Sequence, residues 1–146
     1  MIFYVDKLPM YNDWAAGVAI GPFIWIKHDF KSNKGLLEHE RLHTKMFWLW
    51  FLLFSIIAFV SILLEFYTGF SIAILFAIAF RAVLYSMFNR YRLWEEVKAY
   101  AIQWKINKEP EVRLQVYARA IVKHYRLSIS EEEALEKLQN ELARSH

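Results

Sequence analysis

Cysteine is absent from the 146-residue chain, which excludes disulfides, thiolate metal sites and cysteine nucleophiles together. Glycine and proline are scarce, with four and three residues, and no glycine-rich oxyanion element can be traced. Long tracts of one charge are missing too. Eighteen Lys and Arg face fifteen Asp and Glu, a net charge of +3 with a pI near 9.1. The basic residues scatter along the chain, so no nucleic-acid partner is expected. The opening "MIFYVDKLPMYNDW" lacks a basic segment followed by a long apolar one, so no cleavable signal peptide is expected and membrane insertion would come from inside the chain. Internal repeats and low-complexity segments are absent as well.

Apolar and aromatic residues are abundant, at 57% and 18%, while the charged fraction of 23% is ordinary. Very apolar segments must therefore alternate with polar ones inside one domain, residues 1–146. "MFWLWFLLFSIIAFVSILL", Met46 to Leu64, carries no charge and is long enough to cross a bilayer. Glu65 interrupts it, and Thr68-Gly69 reads as a turn. A second apolar stretch, residues 70–88, contains Arg81, a charge that either reaches the membrane boundary near Tyr85 or faces a polar site within the protein. Lys7, Lys27, Lys31, Lys34, Arg41 and Lys45 precede the first stretch, and Arg90, Arg92 and Lys98 follow the second. By the positive-inside rule both termini are cytoplasmic, with lipid as a partner and a bacterial inner membrane as the expected location. The alternative is a soluble protein with a buried apolar hairpin.

Residues 1–31 are strand-rich. "IFYV", "GVAI" and "FIWIK" read as short antiparallel strands, the last two joined by Gly21-Pro22. Ser32 or Asn33 caps a helix over 33–45. After the apolar helices 46–64 and 70–88, helical spacing returns over 89–106 and again over 110–146, where Pro110 suits a first helical position and Ser130 with Glu133 forms a capping box. The fold class is α+β, mostly α.

"HERLH" places His39 and His43 at i and i+4, so both imidazoles project from one helix face and can reach a single metal ion. Glu40 is placed to take a proton from water at that metal rather than to bind it. A third ligand must come from elsewhere. Glu95, Glu96, Glu65 and His124 are the candidates. An antiparallel apolar hairpin returns Glu95 and Glu96 to the side of the histidines and leaves Glu65 a membrane thickness away. His28 with Asp29 is a surface pair. Tyr91, Tyr100, Tyr125 and His124 are candidate transition-state donors.

"HERLH" followed by "EVKAY" resembles the gluzincin metallopeptidases, in which HExxH is completed by the glutamate of an E-x-x-A pattern on a later helix. Membrane gluzincins of the CAAX prenyl protease and HtpX type also set this motif beside transmembrane helices. Over roughly residues 14 to 100 the chain is similar to small HExxH proteins of bacteria and phages. The resemblance implies Zn2+ held by His39, His43 and Glu96, with Glu40 as general base and Glu95 or His124 as alternative ligand or supporting residue. The activity it implies is cleavage of a peptide or protein substrate. The chain departs from the pattern at Glu38 and Arg41, where peptidases carry uncharged residues, and at Tyr100, where membrane gluzincins carry Asp. "FIWIK" would offer an edge for an extended peptide. A second class of function is a non-enzymatic membrane structural or lysis-type protein, holin-like, in which the motif is decoration. A di-iron carboxylate site is disfavoured because Glu40-x-x-His43 is the one E-x-x-H present.

Overall fold

The computed structural model of the chain describes residues 1–9, 14–64, 67–125 and 127–144. Three strands open it: β1 (Ile2–Val5), β2 (Gly17–Ile20) and β3 (Phe23–Lys27), in the order β1-β3-β2. Gly21, at φ 58°, makes the tight turn that pairs β2 with β3 antiparallel, as expected. β1 pairs with β3 in parallel instead, Ile2 opposite Ile24. The long connection after Val5 gives the chain room to re-enter on the far side of β3. "FIWIK" is therefore the central strand rather than an edge. β2 is the edge strand that lies on α1.

A 3-10 turn (His28–Phe30) leads to α1 (Lys34–Leu63), a single helix of 30 residues. The motif helix and the first apolar stretch, expected as two units, are one rod about 45 Å long. No proline or glycine separates them, so nothing interrupts the hydrogen-bond ladder. α2 (Tyr67–Met87) runs back along α1, pairing Trp50 with Phe80 at 5.0 Å and Phe54 with Phe76 at 5.6 Å between ring centroids. Thr68 and Gly69 belong to this helix rather than to a turn, while Glu65 lies outside the described residues. Buried Ala58, Ala73 and Ala77 let the helices of the hairpin approach.

α3 (Asn89–Asn107), α4 (Val112–Tyr125) and α5 (Glu131–Arg144) complete the fold. Pro110 stands ahead of α4, its carbonyl accepting from Arg113 N at 2.9 Å. Ser130 Oγ accepts from Glu133 N at 3.1 Å, the expected cap. The main apolar core joins these three helices through Leu93, Val97, Ile121 and Leu138. A second core packs Ile24 and Ile26 of the sheet on Leu36 of α1.

The first turn of α1 is anchored on the end of α3. Asn33 Oδ1 accepts from Leu36 N, and Asn107 Oδ1 accepts from Gly35 N, both at 2.9 Å, while Asn107 Nδ2 donates to Asn33 Oδ1 at 3.0 Å. This contact needs glycine, since a Cβ on Gly35 would stand 2.5 Å from Asn107 Oδ1 and 2.6 Å from the Gln103 carbonyl. Gly35→Ala is expected to lower stability by about 1–3 kcal/mol, because backbone must move to relieve the overlap. Thermal unfolding in detergent tests this, and an unchanged midpoint would remove the close approach as a constraint.

Candidate metal centre

The α1–α3 anchor sets the register of two facing helices, and one turn further along α1 that register brings His39 and His43 opposite Glu95 and Glu96. Consecutive residues on α3 project about 100° apart, so the two glutamates approach the histidines from different directions. Glu96 faces the Nε2 atoms: Oε2 lies 3.6 Å from His39 Nε2, and Oε1 lies 3.4 Å from His43 Nε2. Glu95 Oε1 instead meets His43 Nδ1 at 2.6 Å.

His39, His43 and Glu96 form a buried group that can hold a metal ion, with one potential ligand atom from each within 4.8 Å of the others. Ligands about 2.1 Å from a tetrahedral first-row ion stand about 3.4 Å apart. The two histidine–glutamate separations match that edge. The other nitrogen of His43 is held by a carboxylate, the arrangement that fixes the tautomer and orientation of a ligating imidazole. Glu96 Oε2 has no hydrogen-bond partner among the described residues although it is buried. The same holds for His39 Nδ1, Arg81 Nε and Glu95 Oε2, so the whole cluster carries unmatched polar atoms among the described residues.

Charge points the same way. Glu40, Glu95 and Glu96 are buried together, and Arg81 is the cation that reaches them, donating to Glu95 Oε1 with its Nη2 3.2 Å from His43 Nδ1. Among the described residues, three carboxylates stand against one guanidinium, an excess of negative charge that suits a bound cation. Without a cation, protons must compensate. Burial pushes the Glu40 carboxyl up to about 7, partly offset by His43. Burial likewise raises Glu96, against the opposing pull of His43 and the Tyr85 hydroxyl. At Glu95 burial acts upward too, but His43 and Arg81 outweigh it and hold the carboxyl below its usual range. His43 is disfavoured as a cation by burial, yet the surrounding carboxylates raise it overall. His39 is driven well below its usual value by burial and by His43, so it is neutral and ready to coordinate.

A cavity of about 230 Å³ opens over the cluster, walled by β2 on one side and by Arg81, Tyr85 and Tyr125 on another. Glu40 faces it and accepts a hydrogen bond from the Ala19 backbone. Gly17 leaves room for it: a Cβ there would meet Glu40 Oε1 at 3.0 Å.

The remaining residues singled out in the sequence fall around this centre. Tyr100 packs its ring edge-on against His39, centroids 4.6 Å apart, on the side away from the main cavity. Tyr91 accepts from Trp50 Nε1 at 3.1 Å and does not line the cavity. His124 stacks flat on Trp14 at 4.1 Å and is not in the ligand group. His28 lies 4.0 Å from Asp6 rather than pairing with Asp29. Tyr85, read in the sequence only as a boundary marker, donates to Glu96 Oε1. Its spacing from Arg81, i and i+4 within an apolar run, is the signal that both face protein. Arg92, read only as a basic flank, ties the carbonyls of Tyr85, Ser86 and Tyr125 at 2.9 Å each and so closes the wall of the cavity. Nothing in the sequence marks Arg92 or Gly17 for these roles.

No family model, curated protein or solved structure matches this chain. Among the described residues one helix, Lys34–Leu63, is long and apolar enough to cross a membrane.

Elemental analysis of detergent-purified protein is expected to find about one divalent ion per chain. His43→Ala and Glu96→Ala should lose it. Glu95→Gln should keep it with affinity weakened about 10- to 100-fold, since Glu95 orients a ligand without being one. Full retention in Glu96→Ala would remove Glu96 from the ligand set.

Proposed function

We propose that this chain is a zinc-dependent hydrolase embedded in a membrane, a metallopeptidase of the gluzincin type that its motifs resemble. The observation that carries the reading is the buried His39–His43–Glu96 group with a separate carboxylate, Glu40, facing the same cavity. Two histidines and a glutamate are a ligand set that suits zinc and leaves a position open. A bound zinc ion would supply Lewis acidity, bringing the pKa of water at the site toward neutrality.

The protein's own groups do the rest. Glu40 takes the proton from the attacking water as the new C–O bond forms, then returns it to the amine as the C–N bond breaks. Glu95 and Arg81 hold the His43 ring in place. Tyr85 and Tyr125 line the cavity, so they rather than Tyr91 or Tyr100 supply hydroxyls beside a substrate carbonyl. β2, whose free edge borders the cavity, offers main-chain groups to an extended peptide in place of the central "FIWIK" strand.

The membrane part of the reading rests on exposure. Only 6% of the most apolar window of α1 is buried within the protein. Trp48, Leu49, Leu52, Ile56, Phe59 and Leu63 all face outward, which is the reverse of a soluble core helix. Arg81 points to the centre and not to lipid, so the charge in the second apolar stretch does not oppose insertion. The basic residues on either side of the hairpin assign the metal centre and both termini to the cytoplasmic face.

Hydrolysis of quenched-fluorescent peptides by protein in phosphatidylcholine vesicles provides the test. Glu40→Gln is expected to keep its zinc and lose at least about 100-fold in turnover. Gly17→Ala, which crowds Glu40 without touching a ligand, should also lower turnover at constant metal content. A Glu40→Gln protein of full activity would sink the mechanism.

A further inference from the structure

Four exposed apolar side chains gather at one end of the sheet. Ile20 and Phe23 flank the Gly21-Pro22 turn, and Met1 and Phe3 lie beside them because Ile2 pairs with Ile24 and the Met1 ammonium donates to the Pro22 carbonyl at 3.1 Å. Their exposures run from 37% for Phe3 to 75% for Met1. Phe3, Phe23 and Trp25 form a three-ring cluster with centroids 5.6 to 6.1 Å apart. The opposite end of the sheet carries Asp6, Lys7, Lys27 and His28. The sheet thus changes from apolar to charged along its strands, and a surface of this kind has a preferred side to bury.

The apolar end adjoins the hairpin. Gly21 packs on Phe47 of α1, whose ring lies 3.7 Å from where a Cβ would stand. Phe47 in turn contacts Trp48 and Phe51, where the outward-facing apolar band of α1 begins. The turn is therefore level with the end of the span, at the depth where aromatic side chains are favoured in a bilayer.

We propose that the Ile20–Phe23 turn, with Met1 and Phe3, is a second membrane contact that rests in the interfacial layer of the bilayer the hairpin crosses. The contact itself depends on the membrane reading of the hairpin, and the substrate class that follows from it rests on the hydrolytic reading as well. Ile20 and Gly21 also line the cavity, together with Arg81 and Ala82 of the hairpin. The mouth of the metal centre consequently opens at the membrane surface, and the substrate class it admits is a peptide segment lying on or emerging from the bilayer.

Because the chain has no cysteine, single-cysteine variants can be labelled at one place each. Ile20→Cys and Phe23→Cys carry an environment-sensitive fluorophore in phosphatidylcholine vesicles, with Ile57→Cys on the hairpin and Arg119→Cys on α4 as references. The expected result is blue-shifted emission at 20 and 23, quenched by headgroup-level spin-labelled lipid and at least about threefold less by aqueous iodide than at 119. If 57 reports lipid while 20 or 23 is as open to iodide as 119, the second contact is overturned and the spanning hairpin stands. If 57 is also open to iodide, the membrane reading fails and takes this inference with it. Circular dichroism of each labelled variant confirms that the helices are intact before the comparison is made.

Discussion

Among the described residues, three carboxylates are buried beside a single guanidinium, and that is the constraint around which the fold is arranged. Ionised groups out of water are tolerated only when paired, hydrogen-bonded or bound to a cation. Glu95 meets that condition through His43 and Arg81, which is why its carboxyl stays acidic while those of Glu40 and Glu96 rise. Glu96 meets it in part, through Tyr85, and like Glu95 keeps one oxygen without a hydrogen-bond partner among the described residues. With His39 and His43, Glu96 completes a buried group that can hold a metal ion.

That cluster can be held rigidly because α1 is unbroken. The helix that carries His39 and His43 continues without a joint into the apolar stretch, so any force that fixes the hairpin in a bilayer also fixes the height and tilt of the histidines. Arg81 extends the coupling. It leaves α2 from within the apolar run and reaches back to the centre, joining the second helix of the hairpin to the carboxylate that orients His43. At the other end of the site, Gly35 and the Asn33–Asn107 pair lock α1 to α3. The candidate site is thus braced on both sides, by Arg81 through Glu95 and by the Gly35 anchor.

The sheet contributes position instead of bulk. Its β2 strand passes close enough to Glu40 that a side chain at position 17 would crowd the carboxylate, and its Ala19 amide orients that group. The order β1-β3-β2 leaves this strand with a free edge beside the cavity.

Local pattern sufficed for the parts of this molecule that depend on neighbours in the chain. The i, i+4 spacing of His39 and His43, the Asn33 and Ser130 caps, the apolar runs and the helices around them follow from residues within a few turns of each other, so they could be read from the sequence alone. An antiparallel hairpin was enough to return Glu95 and Glu96 to the histidines and the E-x-x-A resemblance favoured Glu96, while the packed helices show why Glu96 joins the group, since the two differ by a rotation of about 100° about the α3 axis. The same holds for Arg81, Tyr85, Arg92 and Gly17, whose partners lie on other elements. Strand order was also out of reach, because β1 joins β3 in parallel across a connection whose length permits either edge. The sequence by itself determined which groups are able to bind a metal and which segments are apolar enough to be hidden. The tertiary structure decided which of those groups meet, because a meeting distance of a few ångströms is set by helix rotation and register, which no linear pattern encodes.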